Sequence, residues 1–209
     1  TTSSAPIIIP STSNFTLKND YLITVNNPLF IENNGTAVFE DGTIYSNVTG
    51  NIFVNNSALT LNNVEIENTK ATNNAVGDIL LNNENATLNI NGSKLSTIQH
   101  TIINNKGTLN VDKTGNDSCY NTARITQKST PLTCGYLKTL ITNSGTANID
   151  YMTLQSENYC DLIENEGNMK INHSTIDQSS NSIEPNINDG SMDQYIIYSS
   201  NRHSLSSCI

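Results

Sequence analysis

Residues 52–61 read IFVNNSALTL, and their pattern decides the fold: two apolar residues, a variable one, asparagine, and then apolar positions alternating with polar ones. The same pattern returns as LFIENNGTAVF (29–39), LLNNENATLNI (80–90), IINNKGTLNV (102–111), LITNSGTANI (140–149) and LIENEGNMKI (162–171). With Asn33, Asn55, Asn83, Asn105, Asn143 and Asn165 taken as anchors, the spacings are 22, 28, 22, 38 and 22. Three equal intervals and two longer ones describe a 22-residue unit with insertions, which is how a solenoid is written in sequence.

Counting on from each anchor fixes the inward positions. Four residues on stand Ala37, Leu59, Leu109, Ala147 and Met169; six on stand Phe39, Leu61, Val111, Ile149 and Ile171. Eleven on stand Ile44, Ile66, Leu154 and Ile176. The Asn83 unit fits with one extra residue, giving Leu88, Ile90 and Leu95, and laying the ruler back to Ser11 places Phe15, Leu17 and Leu22 in an N-terminal coil. A weaker final coil is expected near Ser199. Alternation with period two makes short strands with one inward face, and three fit each unit. Strands of successive units then pair in parallel, and roughly eight coils at about 4.8 Å give a rod on the order of 40 Å long. Asparagine suits a tight corner because it tolerates the left-handed conformation and its amide can bond to the units on either side. Gly35, Gly107, Gly145 and Gly167, two residues later, are expected to supply positive φ. Seven residues after the anchors come Glu40, Asn62, Asn91, Asp112, Asp150 and Asn172, which mark a second polar corner.

These corner asparagines and the period of about 22 residues resemble the right-handed parallel β-helices of the pectate-lyase-like and surface-adhesin class. The resemblance covers most of residues 11 to 209. It implies an all-β, single-stranded right-handed β-helix of roughly eight coils. The [FIL]-x-x-N element also resembles the F-x-x-N repeats of polymorphic outer-membrane proteins, without their companion G-G-A-[ILV] motif. The expected organisation is an extended N-terminal arm (1–13) and a β-helix domain (14–209) with a disulfide-containing insertion at about 113–139.

Composition narrows the function. Only 14% of residues are charged, against about 25% in an ordinary domain, and the net charge is −9. Phosphate backbones and anionic lipid surfaces would be repelled, so nucleic acid and membrane insertion are not expected. Thr1 to Ser4 show neither the basic start nor the apolar run of a signal peptide, so a secreted product would be the mature form. Cys119, Cys134, Cys160 and Cys208 lack C-x-x-C spacing and neighbouring histidines, which favours two structural disulfides over zinc or redox chemistry. Of three possible connectivities, position favours Cys119 with Cys134 and Cys160 with Cys208.

Sequons stand at Asn14, Asn34, Asn47, Asn55, Asn85, Asn91, Asn116 and Asn172, a number that composition alone would yield. Asn55 is a ladder residue; the other seven are the candidate glycan sites. Together with the even cysteine count they suggest a secreted or cell-surface glycoprotein. No catalytic residue, metal ligand or cofactor site is assigned. His100, His173 and His203 occupy different slots and are expected at the surface, while the acids scatter. Asp112 and Asp150, in one slot of consecutive units, are the best candidates for a cation or sugar. The absence of Trp counts against sugar stacking.

The doublets Phe30–Ile31, Phe53–Val54, Leu80–Leu81, Ile102–Ile103, Leu140–Ile141 and Leu162–Ile163 allow two readings. Either the strand bends at the corner, or Phe30, Phe53, Leu80, Ile102, Leu140 and Leu162 form an apolar outer stripe that receives a partner. The expected function is a non-enzymatic extracellular building block that self-associates into a filament or coat, or an adhesin segment. A polysaccharide-binding or polysaccharide-cleaving protein is the alternative.

Overall fold

The computed structural model describes residues 6–26, 30–71, 77–116, 119–128, 139–157, 162–178 and 187–189. Among them there is no helix, and hence none long and apolar enough to cross a membrane. The strands are β1 (Ile7–Ile9), β2 (Asn14–Leu17), β3 (Tyr21–Val25), β4 (Ile31–Asn33), β5 (Thr36–Ser46), β6 (Phe53–Asn55), β7 (Ala58–Asn68) and β8 (Asp78–Asn82). They continue as β9 (Thr87–Asn91), β10 (Lys94–Thr97), β11 (Thr101–Asn105), β12 (Thr108–Asp112), β13 (Thr114–Asn116), β14 (Cys119–Asn121) and β15 (Ala123–Gln127). The last are β16 (Ile141–Asn143), β17 (Thr146–Asp150), β18 (Met152–Ser156), β19 (Ile163–Asn165), β20 (Asn168–Asn172), β21 (Thr175–Gln178) and β22 (Ile187–Asp189).

Equivalent strands of successive repeats pair in parallel. One sheet has eight strands in the order β1-β4-β6-β8-β11-β16-β19-β22, and a second has twelve. The long strands β5 and β7 bend midway: the first half of β7 pairs with β9 and its second half with β10. Each repeat therefore supplies three short strand segments, and the curled, parallel arrangement is consistent with a β-solenoid. Ile31, Phe53, Leu80, Ile103, Ile141 and Ile163 form one inward column. Ile44, Ile66, Leu95, Ile125, Leu154 and Ile176 form another, all at most 1% exposed.

The internal ladder runs through Asn33, Asn55, Asn82, Asn105, Asn143 and Asn165. Each Nδ2 donates to the next Oδ1 at 2.6–2.8 Å. Asn83, expected as an anchor, is corrected to Asn82. Asn83 belongs to an outer column in which Asn83 Nδ2 donates to Asn56 and Asn56 Nδ2 donates to Asn34. With Asn82 as the anchor the unit carries two extra residues, accommodated where Asn85 adopts φ 64°.

Gly35, Gly107, Gly145 and Gly167 are absent from the positive-φ positions. The constraint there is close approach: a Cβ on Gly145 would lie 2.1 Å from the Gly107 carbonyl oxygen, and one on Gly167 2.1 Å from that of Gly145. Positive φ occurs instead at the second corner, one residue past the expected polar slot, at Asp41 (53°), Asn63 (52°), Gly92 (57°), Tyr151 (49°) and His173 (43°).

The doublets resolve as a bend. Phe30 N–H and Ile31 N–H both donate to the Ile52 carbonyl (2.9 and 3.0 Å), and Ile102 and Ile103 likewise share that of Leu140 (2.9 and 3.1 Å). Two consecutive N–H groups converging on one oxygen break the alternation, so both side chains point inward. The proposed outer stripe is thus overturned: Phe53, Leu80, Ile102, Leu140 and Leu162 are at most 1% exposed, and half-buried Phe30 packs edge-on against Phe53 (6.1 Å). The buried doublets in two repeats are Ile52–Phe53 and Ile79–Leu80, with Val54 and Leu81 on the outer side, half-buried.

At the third corner lies a column the sequence pattern did not disclose. Ser46, Asn68, Thr97, Gln127 and Ser156 are in register and at most 3% exposed. Ser156 Oγ donates to Gln127 Oε1 (2.8 Å), and Thr97 Oγ1 accepts from the backbone of Gln99 and His100.

Two further expectations shift. Ile7–Ile9, assigned to the arm, is the first strand of the eight-stranded sheet, paired with β4. The stretch 113–139 is not a single insertion: β13 and β14 form an antiparallel hairpin, after which β15 fills the missing inward slot with Ile125 between Leu95 and Leu154. The side chain of Cys119, together with Cys134, Cys160, Cys208, His203 and the coil near Ser199, lies outside the described residues.

Candidate functional site

A cleft of about 460 Å³ runs across four successive repeats at the second corner. One wall is the turn itself, with Asn19, Asp20, Asp41 and Asn63; the other is a column of outward side chains, Leu22, Thr43, Glu65 and Lys94. Asn19 and Asp20 both have positive φ, at 71° and 49°. This turn moves the register by one residue, so Ile23 rather than Leu22 pairs with Ile44, and Leu22 is left 69% exposed on the rim.

The floor is set by Tyr21 and Gly42. The Tyr21 ring occupies the space a Gly42 side chain would need, since a Cβ there would lie 2.3 Å from the ring, and it packs edge-on against Phe39. Burial, and then the charge of Asp41, push the Tyr21 phenol well above its ordinary range, so it stays protonated. Asn63 Nδ2 donates to Asp41 Oδ1 (2.8 Å), which fixes that carboxylate in the wall. With Asp20, Asp41 and Glu65 against Lys94, the cleft is polar and mildly acidic. Among the described residues no three His, Cys, Asp or Glu side chains are grouped to hold a metal.

Asp112 and Asp150 each engage a neighbouring group through Oδ1. Asp112 Oδ1 accepts from Lys113 N (2.7 Å), whereas Asp150 Oδ1 accepts from Tyr151 N (3.1 Å) and pairs with His173 Nδ1 (2.7 Å). His173 stacks on Tyr151 (4.9 Å, 13°), over which Lys113 Nζ lies at 4.1 Å. The corner positions of successive repeats thus bring a cation, a ring and an imidazole into one column.

His100 is corrected from surface to core. It is fully buried, with Nδ1 3.4 Å from the Gly77 carbonyl and Nε2 without a hydrogen-bond partner among the described residues. Burial lowers its pKa, opposed by the Gly77 carbonyl and by Asp78. The unfolded chain therefore takes up the proton first as pH falls. Stability should be full above the unfolded value of about 6.5 and should fall toward the depressed folded value, by at most about 1.4 kcal/mol per pH unit. Urea unfolding between pH 8 and 5 should show this slope, and His100→Gln should remove it; an unchanged slope in the variant would assign the effect elsewhere.

The sequons divide by environment. Asn14, Asn47 and Asn85 are exposed, while Asn34, Asn91 and Asn172 are half-buried. Asn34 and Asn91 are further tied into outer columns by Asn56 and Asn62, and Asn55 is fully enclosed in the ladder. The side chain of Asn116 lies outside the described residues. Neither the cleft nor the outward Leu22 on its rim was visible to residue counting, because both follow from a one-residue shift at Asn19–Asp20.

At the N-terminal end, among the described residues, β1, β2 and β3 each pair on one side only. Ile7 and Ile8 are 43% and 57% exposed, and the inward Phe15, Leu17, Tyr21 and Ile23 are only partly buried. Comparison with protein-family models, curated proteins and solved structures gives no match.

Proposed function

We propose that the chain is a right-handed parallel β-helix serving as a non-enzymatic extracellular building block, which joins copies of itself end to end into a filament or coat. The observation that carries this reading is the N-terminal edge. Among the described residues nothing covers the open sides of β1, β2 and β3 or the apolar groups beside them. Unpaired N–H and C=O groups on such an edge are a template for another strand, and natural proteins normally blunt them. A further turn of the same helix supplied by a second copy satisfies the backbone and buries Phe15, Leu17 and Ile23 in one step. This junction is heterologous and does not close, so it propagates.

Light scattering and electron microscopy over a concentration series test it. Particles should lengthen with concentration, and Ile8→Lys combined with Leu17→Lys should hold the chain as monomers. Monomers of the unaltered chain at the highest concentration would overturn the reading.

The cleft favours a second reading, a polysaccharide-binding or polysaccharide-cleaving β-helix, because its carboxylates and amides line a groove that crosses four repeats. Cleavage of members of a polysaccharide panel, with and without calcium, by the wild type but not by Glu65→Gln would favour it over the structural reading.

A further inference from the structure

The outer face of the first-half strands carries a second amide array, independent of the internal ladder and of the cleft. Asn148 Nδ2 donates to Asn110 Oδ1 (3.2 Å), Asn110 Nδ2 to Asn89 Oδ1 (2.9 Å), and Asn89 Nδ2 to Thr60 Oγ1 (3.2 Å). Strand pairing places Thr87, Thr108 and Thr146 in the column two residues before, and Asn91 Nδ2 donates to Asn62 Oδ1 (2.7 Å) in the column two residues after. All these side chains are half-buried or exposed. Parallel pairing repeats every column at about 4.8 Å, and neighbouring columns lie about 6.6 Å apart along the strands.

Three properties of this face define what it can hold. It is periodic, and its amides all point the same way along the axis, donor toward the preceding repeat and acceptor toward the next. It is uncharged from Thr87 to Thr146 and from Thr60 to Asn148, with Lys170 in register beside Asn148 at one end and Glu40 and Asp112 flanking the Asn62–Asn91 column. Each amide also has a second N–H and a second acceptor site beyond those used in its column. A soluble ligand of one or two groups would use a small part of such an array. A surface of matching period would use all of it, and many weak contacts then add.

The period narrows the partner to a surface of stacked amides. Amides that stack through N–H···O=C bonds repeat at about 4.8 Å because that bond sets the spacing, whichever chain carries them. We propose that this face binds an insoluble, uncharged polymer of N-acetylated sugars, whose stacked acetamido groups present the same one-directional amide repeat. This site is distinct from the end-to-end junction and does not depend on it.

Sedimentation with particles of crystalline chitin, cellulose and deacetylated chitin tests the proposal, at a pH where free amines are uncharged. The intact protein should bind chitin and lose at least tenfold in affinity for the other two. Asn110→Arg and Asn148→Arg, which push a long side chain out of the array, should lose at least tenfold on chitin, whereas Glu84→Gln, at an exposed turn outside both the array and the cleft, should bind as the wild type does. The comparison of chitin with its deacetylated form uses the unaltered protein, so it decides the matter even if the arginine variants fold poorly. No binding to chitin, equal binding to all three polymers, or loss in Glu84→Gln with retention in folded arginine variants would overturn it. Binding to a cross-β fibril in preference to chitin would also overturn it, because the periodic partner would then be protein.

Discussion

Replacing Asn105 by leucine should lower stability by about 3–5 kcal/mol, since two or three buried polar groups lose partners at roughly 1–3 kcal/mol each. Asn105 Nδ2 lies within hydrogen-bonding distance of Asn143 Oδ1 (2.6 Å), the Thr146 carbonyl (3.0 Å) and the Gly107 carbonyl (3.2 Å), and Asn105 Oδ1 accepts from Asn82 (2.7 Å). Leucine fills a similar volume but makes none of these bonds. Asn82 keeps the carbonyls of Thr108 and Ala86, so the loss falls mainly on the next repeat. Asn56→Ala, in the exposed outer column, should cost less than about 1 kcal/mol because water replaces the lost partners. Urea midpoints of the two variants separate the internal ladder from the outer one; equal shifts would mean that the buried column is not a structural spine.

Phe39→Ala should cost about 3–5 kcal/mol, the range for emptying a fully buried aromatic site. The Phe39 ring is fully buried and lies 5.6 Å from Phe15, 6.3 Å from Tyr21 and 5.4 Å from Phe53. It therefore ties the half-exposed first repeat to the body of the core. Its loss should also loosen β2 and β3, and amide exchange should quicken at Phe15, Leu17 and Ile23 before it quickens at Ile125 or Leu154. Uniform quickening along the chain would show that the first repeat is not held mainly through this ring.

The repeat and its inward columns were legible because period-two alternation survives in every unit: Phe39, Leu61, Val111, Ile149 and Ile171 are in the positions counted from their anchors, and all are at most 2% exposed. What was hidden lies where one or two residues enter a turn. In Asn82–Asn83 two adjacent asparagines both look like anchors, and only the pairing of Asn55 with Asn82 shows which one faces inward. Between Leu17 and Tyr21 the positive φ of Asn19 and Asp20 lets in an extra residue, which turned Leu22 outward and opened the cleft. The apolar doublets were ambiguous because composition does not record that two N–H groups share one carbonyl. The buried Ser46–Ser156 column escaped because serine, asparagine, threonine and glutamine share no pattern, although strand register makes them one row. The candidate sites were the least legible, since a cleft and an amide array arise from residues of three or four repeats that are far apart in sequence.

Cysteine trapping on the outer asparagine column tests the stacking of repeats most directly. Asn34 and Asn56 follow paired residues Asn33 and Asn55, and Asn83 follows Asn82, their partner in the next repeat. Backbone separation at adjacent positions is then about 4.8 Å, within reach of a disulfide. Asn34→Cys with Asn56→Cys, and Asn56→Cys with Asn83→Cys, should each oxidise to a single intramolecular bridge found by peptide mass. Asn34→Cys with Asn83→Cys, two repeats apart, should not bridge. A bridge in that last pair, or in neither of the first two, would contradict parallel stacking of successive repeats.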